Sequence, residues 1–326
     1  IPREWFKQID VLLREMIWSG GRSRVSLETL KNPITRGGLG LPDLECYYLA
    51  AQLQWVAKWI GGMNLREVRW GEGMGRVRSD IVQLMIKGRP REQGQDTVLV
   101  KVALRCWRRV QKLVKGRVMY SPAIRLSDIP RTRGGGKFGE TELRNWIECG
   151  ITTVGDCYSD KTRIPLETLM EQFGLPAGQF LTYAAISAAL DELWGMGMVE
   201  PDGHEVMQVL VTWGGGRHVV QAIYKALNEM VRAPLTRTRD RWERLLGREL
   251  GDGEWGKILA YPRKISRNSR LKYIQFNLLH QAYFTPDRIT KIYGGDVRKC
   301  PRCDGVEADF EHMLWKCPIT QMYWKE

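Results

Sequence analysis

The sequence predicts a mainly α-helical chain built in several parts, and three observations carry that prediction. Apolar residues recur every three or four positions through segments 5–18, 44–59, 99–113 and 219–231, the period that gathers them on one side of a helix. The alternation that a half-buried strand needs is confined to one candidate hairpin, Met198 to Trp213. The carboxy end carries Cys300-Pro301-Arg302-Cys303, His312 and Cys317, a C-x2-C-x8-H-x4-C array that closes a small module around a metal.

In the first helix Trp5, Ile9, Leu12 and Met16 fall at helical spacing, with Phe6, Leu13 and Ile17 widening the apolar side; Ser19-Gly20-Gly21 ends it. It reads as a packed helix. A second, short helix is expected from Ser26, its cap, to just before Pro33, with Leu27 and Leu30 facing in. The run Gly37-Gly38-Leu39-Gly40-Leu41-Pro42-Asp43 then permits positive φ and close backbone approach, Pro42 blocks continuation, and Asp43 can cap the helix that carries Leu44, Tyr48, Ala51, Trp55 and Trp59. The run lacks the Lys-Ser/Thr of a phosphate-binding P-loop, so a tight structural turn is the favoured reading. The Trp and Tyr stripe after it reads as core rather than as a platform for bases.

Thr97 to Ser127 contains no acidic residue. At about 100° per residue Lys101, Arg105, Arg108, Lys112 and Lys115 share one side of a helix, while Leu99, Val102, Ala103, Cys106, Val110 and Leu113 share the other. An ordinary solvated helix face mixes charges, because like charges four residues apart cost a few tenths of a kcal/mol. Aligned cations without an acid in the stretch favour a ridge that follows phosphates. Such a helix could instead lie on an anionic membrane, but no second anchor is visible. Lys87 to Arg91 and Arg131 to Lys137 read as basic loops.

Leu166 to Phe173 and Phe180 to Leu193 read as two helices around the Gly174 to Gly178 connection. The second bears Ala184, Ala185, Ala188, Ala189, Asp191 and Glu192 and no cation, so it reads as packing rather than as a DNA-reading helix. The candidate hairpin turns at Pro201-Asp202-Gly203, with Val209, Val211 and Trp213 alternating. His204 and His218 look like surface residues. A helix from about Val219 to Val231 leads to Ala233-Pro234-Leu235, the expected boundary of the last domain. That domain interleaves Arg263, Lys264, Arg267, Arg270 and Lys272 with Tyr273, Phe276, Tyr283 and Phe284, the mixture that single-stranded nucleic acid needs. Ile274, Leu278 and Ala282 share helical spacing with those rings, so most of the rings read as core and the cations carry the inference.

In the tail, Asp304-Gly305 supplies a turn that folds the chain back over a metal. Phe310, Met313, Leu314 and Trp315 place His312 and Cys317 on a short helix. Three thiols and one imidazole complete a tetrahedral Zn2+ site with no position left for substrate, so the zinc is expected to be structural. Arg298, Lys299, Arg302 and Lys316 balance the three thiolates.

With 326 residues, 43% of them apolar, and 13 tryptophans, the chain can bury a real core in two or three domains. The division read along it is 1–64, 65–233 and 234–326. Fifty Lys and Arg against 37 Asp and Glu leave +13, which favours a polyanion such as nucleic acid. No apolar run approaches the ~20 residues of a bilayer span. Cys46, Cys106, Cys149 and Cys157 sit in apolar or helical stretches and suit a reducing, intracellular setting. The chain opens Ile1-Pro2 and stops at Glu326 with its helical pattern unfinished, so a piece of a longer protein is expected.

Ile1-Pro2, the helix ending Ile17-Trp18, the Gly37 to Asp43 turn and Tyr47-Tyr48-x-Ala50 resemble the thumb of LINE-type (non-LTR) retrotransposon reverse transcriptases. The carboxy-terminal segment of that family is resembled by Asn268 to Tyr293, with its Tyr283-Phe284-Thr285-Pro286 step. The likeness continues in Cys300-x2-Cys303, His312-Met313-Leu314-Trp315-x-Cys317-Pro318 and Tyr323-Trp324. These blocks cover under half the chain; the middle is loosely similar at Trp146 to Ile151 and Phe173 to Tyr183. The resemblance implies a thumb-like bundle over 1–64, a basic helical connector over 65–233 and a nucleic-acid-binding module with a CCHC zinc knuckle over 234–326. It further implies a parent RNA-directed DNA polymerase with endonuclease that nicks target DNA and extends the end on its own RNA, by target-primed reverse transcription. Its partners would be the template RNA, the target DNA, the RNA-DNA duplex and the rest of the polymerase chain, with no membrane. Its place would be the nucleus and cytoplasm, as ribonucleoprotein.

The polymerase chemistry itself is not in this sequence. Two Mg2+ ions need clustered carboxylates, and no Asp-Asp pair occurs anywhere. This stretch is therefore expected to hold zinc but no Mg2+ and no catalytic residues. The candidate contacts to nucleic acid are Lys101, Arg105, Arg108, Arg109, Lys112, Lys115, Arg263, Lys264, Arg267, Arg270, Lys272, Arg298, Lys299 and Arg302. The alternative is a stand-alone or domesticated zinc-containing RNA-binding or adaptor protein; a zinc hydrolase would need an open ligand position.

Overall fold

The computed structural model of the chain describes residues 1–60, 82, 85, 98–113, 121–132, 136–159, 162–194, 205–213, 217–232, 235–295, 299–305 and 308–325. It is mainly α-helical. Among the described residues the strands are β1 (Tyr158–Ser159) and β2 (Thr162–Arg163), a short antiparallel pair that pairs Tyr158 with Arg163. Contacts gather the chain into two compact units, one made of Ile1–Asp43 with Arg232–Glu326 and the other of Leu44–Val231. The linear reading cuts after 64 and 233. The contacts cut after 43 and 231 and join the two ends of the chain, because the helix that begins at Leu44 turns its apolar side into the core of the inserted unit.

The first unit opens with α1 (Arg3–Trp18) and α2 (Leu27–Lys31). Ser26 caps α2 as expected, its hydroxyl accepting the Thr29 N–H at 3.1 Å. The expectation that α1 is packed all along its apolar side is corrected. Phe6 is buried and Ile17 and Trp18 join Val25, Leu30, Phe276 and Ala282, but Leu12 and Met16 are 57% and 70% exposed. The apolar arc of α1 is wider than the surface offered to it. The glycine turn that follows is tight for a steric reason: a Cβ on Gly38 would sit 2.0 Å from the Asn32 carbonyl oxygen. Gly37 has a φ of +77° and would drive a Cβ to 2.7 Å from Leu235.

The inserted unit contains α3 (Leu44–Ile60), α4 (Val98–Leu113), α5 (Arg144–Glu148), α6 (Leu166–Phe173), α7 (Phe180–Trp194), α8 (Glu205–Thr212) and α9 (Val219–Val231). Its centre is α3, which packs on α4, α8 and α9. Cys46, Leu49, Leu53, Val56 and Ile60 form its inward side, while Tyr48 and Trp55, read from sequence as the core stripe, are half-buried flanks. A single core unites these residues with Leu104, Trp107, Ile124, Trp146, Leu190 and Leu227, each buried side chain worth about 1.5–3 kcal/mol. Gly174 ends α6 in the left-handed conformation, and α9 has the bounds its sequence predicts. The expected hairpin is overturned. Glu205–Thr212 is helix, because Val206, Met207, Leu210 and Val211 bury together at helical and not alternating spacing; its expected turn at 201–203 lies outside the described residues.

The chain then re-enters the first unit with α10 (Thr236–Leu246), α11 (Asp252–Lys264), α12 (Ser269–Leu279), α13 (Pro286–Tyr293), a π turn at His312–Lys316 and α14 (Pro318–Lys325). α11 packs on α12 and on the 3-10 turn Ile34–Arg36. Leu250, Trp255, Leu259 and Leu279 form a second small core here, with Trp242 against it. Trp242 also donates its indole N–H to the Leu279 carbonyl at 2.7 Å.

Candidate metal centre and cationic surfaces

Cys300 and Cys303 stand on a turn closed by the Asp304 N–H to the Cys300 carbonyl and the Cys300 N–H to the Gly305 carbonyl, both 2.9 Å. Asp304 takes the left-handed conformation, φ 53°, that lets the second bond form. A Cβ on Gly305 would lie 3.2 Å from the Cys303 Sγ and 3.4 Å from the His312 Cε1, so this position is kept small by the ligands themselves. The other two side chains bracket the π turn, in which the Cys317 N–H reaches back five residues to the His312 carbonyl at 2.9 Å. The wider turn replaces the regular short helix expected here. Asp309 starts it by accepting the His312 N–H at 2.7 Å.

The four ligand atoms all lie within 4.8 Å of one another. Cys300 Sγ and Cys317 Sγ are 3.8 Å apart, and Cys303 Sγ and His312 Nε2 are 3.4 Å apart. Metal–sulfur bonds of about 2.3 Å and a metal–nitrogen bond of about 2.05 Å at tetrahedral angles give edges of about 3.8 and 3.6 Å. The donors therefore fit a metal ion of that geometry, with each corner filled by protein. The thiols also differ electrostatically. Cys317 opens α14, where backbone N–H groups of Thr320 and Ile319 face its sulfur and lower its pKa to about 6, whereas burial pushes Cys157, in the other unit, up to about 12. Cys46, Cys106 and Cys157 are buried thiols that pack in the core.

The four-donor cluster is seated on the helices of its unit. Phe310 and Trp315 stack edge-on against Trp242 of α10 at 6.1 and 6.2 Å, and Trp324 donates to the Leu314 carbonyl at 2.8 Å. Arg302, expected to touch nucleic acid, is exposed and also bridges the two ligand segments. Its guanidinium donates to the Met313 carbonyl at 2.7 Å and the Thr320 hydroxyl at 2.8 Å, tying the first ligand loop to the second. Lys316 pairs with Glu311 at 2.9 Å.

No protein-family model matches the chain. On α4 Arg105 and Lys112 are exposed and Lys101 and Arg108 half-exposed, while Ala103, Leu104, Cys106, Trp107 and Val110 are buried on the other side. Arg109 departs from the expected ridge: it is in an ion pair with Glu45 of α3 at 2.6 Å and lies over the Tyr48 ring. The acid comes from another helix, so a search of the local sequence cannot find it. Lys115, Arg298 and the Arg263 side chain lie outside the described residues, as does the basic loop 87–91. Lys264, Arg267 and Arg270 are exposed where α11 passes into α12, and Lys299 is exposed beside the metal ligands; Lys272 is half-buried against an apolar hollow with Ile34, Leu259 and Phe276. In the other basic loop Arg131 pairs with Glu142 and covers the Phe138 ring. Among the described residues no helix is long and apolar enough to cross a membrane.

The fold also assembles cations that the sequence leaves scattered. Arg24 lies 4.5 Å and Arg288 5.9 Å from the centre of the Phe284 ring, and Arg241 acts on the charge of Arg288. Arg24 precedes α2, Arg241 is on α10 and Arg288 on α13, so no single window of sequence contains them.

Proposed function

We propose that this chain is the nucleic-acid-gripping carboxy-terminal part of a non-LTR retrotransposon reverse transcriptase, holding template RNA and the primer-template duplex during target-primed reverse transcription. In this reading the Cys300, Cys303, His312 and Cys317 cluster holds a structural Zn2+. Four protein donors leave no position for a substrate, so the ion braces the fold and does no chemistry. The observation that carries the nucleic-acid reading is α4: one side is sunk in the core of its unit, and the other bears Arg105 and Lys112, exposed, with Lys101 and Arg108 half-exposed beside them. A row of cations on a +13 chain neutralises consecutive phosphates and releases their counter-ions. The ordered thumb-like and knuckle-like motifs support the placement within a retrotransposon protein, and the polymerase and endonuclease chemistry belongs to the parent chain.

The test is direct. Purified protein should carry one zinc per chain, and its affinity for single-stranded RNA should fall steeply with salt, with a log–log slope of about −3 if the four described ridge cations each meet a phosphate. A flat salt response would reject the reading.

A further inference from the structure

We propose that the cleft between α10, α13 and the π turn is a phosphodiester-binding subsite for single-stranded nucleic acid, in which Arg241 and Arg288 hold the phosphate and Arg24 completes the charge beside Phe284. The inference rests on the nucleic-acid reading above and names a contact surface within it. The cleft has a volume of 510 Å³ and is lined by Arg241, Arg244, Tyr283, Arg288 and Phe310 among others, within the range of about 300–1,000 Å³ over which proteins hold small ligand groups.

Charge decides what it takes. Its three carboxylates are already engaged: Asp287 with Lys291 at 2.7 Å, Glu311 with Lys316 at 2.9 Å, and Asp309 with the His312 N–H at 2.7 Å. Among the described residues no ion pair involves Arg24, Arg241 or Arg288. Elsewhere on α10 Arg239 is neutralised, paired with both Glu243 and Asp252. Arg288 is held in place by donating to the Gln281 and Arg24 carbonyls at 2.9 and 3.1 Å. Burial lowers its pKa, and Arg241 and Arg24 lower it further, so the three cations repel one another in the free protein. An anion with several oxygens relieves that repulsion, and guanidinium groups match a phosphate's oxygens. The half-buried Tyr283 and Phe310 on the walls give an attached base or sugar an apolar surface.

Arg241→Gln is the informative variant, because Arg241 is exposed and, among the described residues, its side chain braces no backbone group. Arg248→Gln is the control: it removes the same charge from an exposed arginine already paired with Glu254. Binding of the full chain to a 12-nucleotide RNA is read by fluorescence anisotropy from 50 to 300 mM salt, with circular dichroism checking that each variant is folded. Arg241→Gln should weaken binding about fivefold at 100 mM salt and make the log–log slope shallower by about 0.7, one single-strand phosphate contact, while Arg248→Gln changes neither. Arg241→Glu should weaken it further. Inorganic phosphate added to 15N-labelled protein should shift the Arg288 Nε signal in the wild type more than in Arg241→Gln. Unchanged affinity and slope in Arg241→Gln, or an equal loss in Arg248→Gln, overturns the cleft while leaving the nucleic-acid reading intact. A wild type that binds no RNA overturns both.

Discussion

Asp43 and Arg232 lie 189 positions apart in sequence, yet their side chains meet at 2.6 Å where the chain leaves the first unit and where it returns. Arg232 also reaches Glu28 at 2.7 Å, and Lys31 joins Asp43 at 3.5 Å and Asp10 at 3.0 Å. Burial opposes the charge of Lys31, but Asp43, Asp10 and Glu28 together hold its pKa above the ordinary lysine value. Removing one member of a buried network leaves the others charged and desolvated, so Arg232→Ala should cost about 3 kcal/mol of stability in urea unfolding. A loss below about 1 kcal/mol would class the network with surface pairs. His280 makes a second residue-scale prediction. Its Nε2 lies 2.6 Å from the Gly37 carbonyl, so that nitrogen carries the hydrogen and donates it. Burial lowers its pKa below 6.5, the Gly37 bond opposes the drop, and Arg241 adds to it; Phe276 packs against the ring. With the folded pKa depressed, the contribution is complete above pH 6.5 and declines as pH falls through the folded pKa, because the unfolded imidazole takes the proton first. Urea midpoints should therefore drop between pH 7.5 and 5.5, and drop less in His280→Gln. An NMR titration placing His280 at or above 6.5 would contradict this.

At the scale of elements, what could be read beforehand followed local physics. α2 was legible from the Ser26 cap, α9 from its 3.6 period, and the gathering of Cys300, Cys303, His312 and Cys317 from their spacing. α8 was not: Val209, Val211 and Trp213 alternate, and burial of Val206, Met207 and Leu210 against the rest of its unit decides for helix. The Glu45 partner of Arg109 and the Arg24, Arg241 and Arg288 group were equally illegible, since each is made by elements distant in sequence. The structure thus sharpens the prediction for α4. The triple change Lys101→Ala, Arg105→Ala and Arg108→Ala should weaken RNA binding by a similar factor for all sequences and make the salt slope shallower by about 2. Arg109→Ala should lower stability more than it lowers affinity, because its charge is committed to Glu45. Retained affinity in the triple variant would move the grip elsewhere.

At the scale of the whole chain, each of the two units has its own internal means of cohesion. The inserted unit has one large core, from Cys46 to Leu227. The other distributes its apolar contacts over three small clusters, one of which consists of Cys300, Ala308 and Cys317 with Cys303 and Met313. A cluster of that size buries too little surface to hold its own fold, whereas zinc in knuckle-sized peptides supplies on the order of 10 kcal/mol. Chelation should therefore act locally. Hydrogen exchange after treatment with a strong chelator should show residues 299–325 losing protection first. The side of α10 that carries Trp242 should follow, because Phe310 and Trp315 leave it, while α3, α4, α8 and α9 keep theirs. Restoring zinc should reverse the change. If the tail keeps its protection without metal, the four donors are not what fold it. If α3 loses protection together with the tail, the inserted unit lacks the independent core that its packing describes.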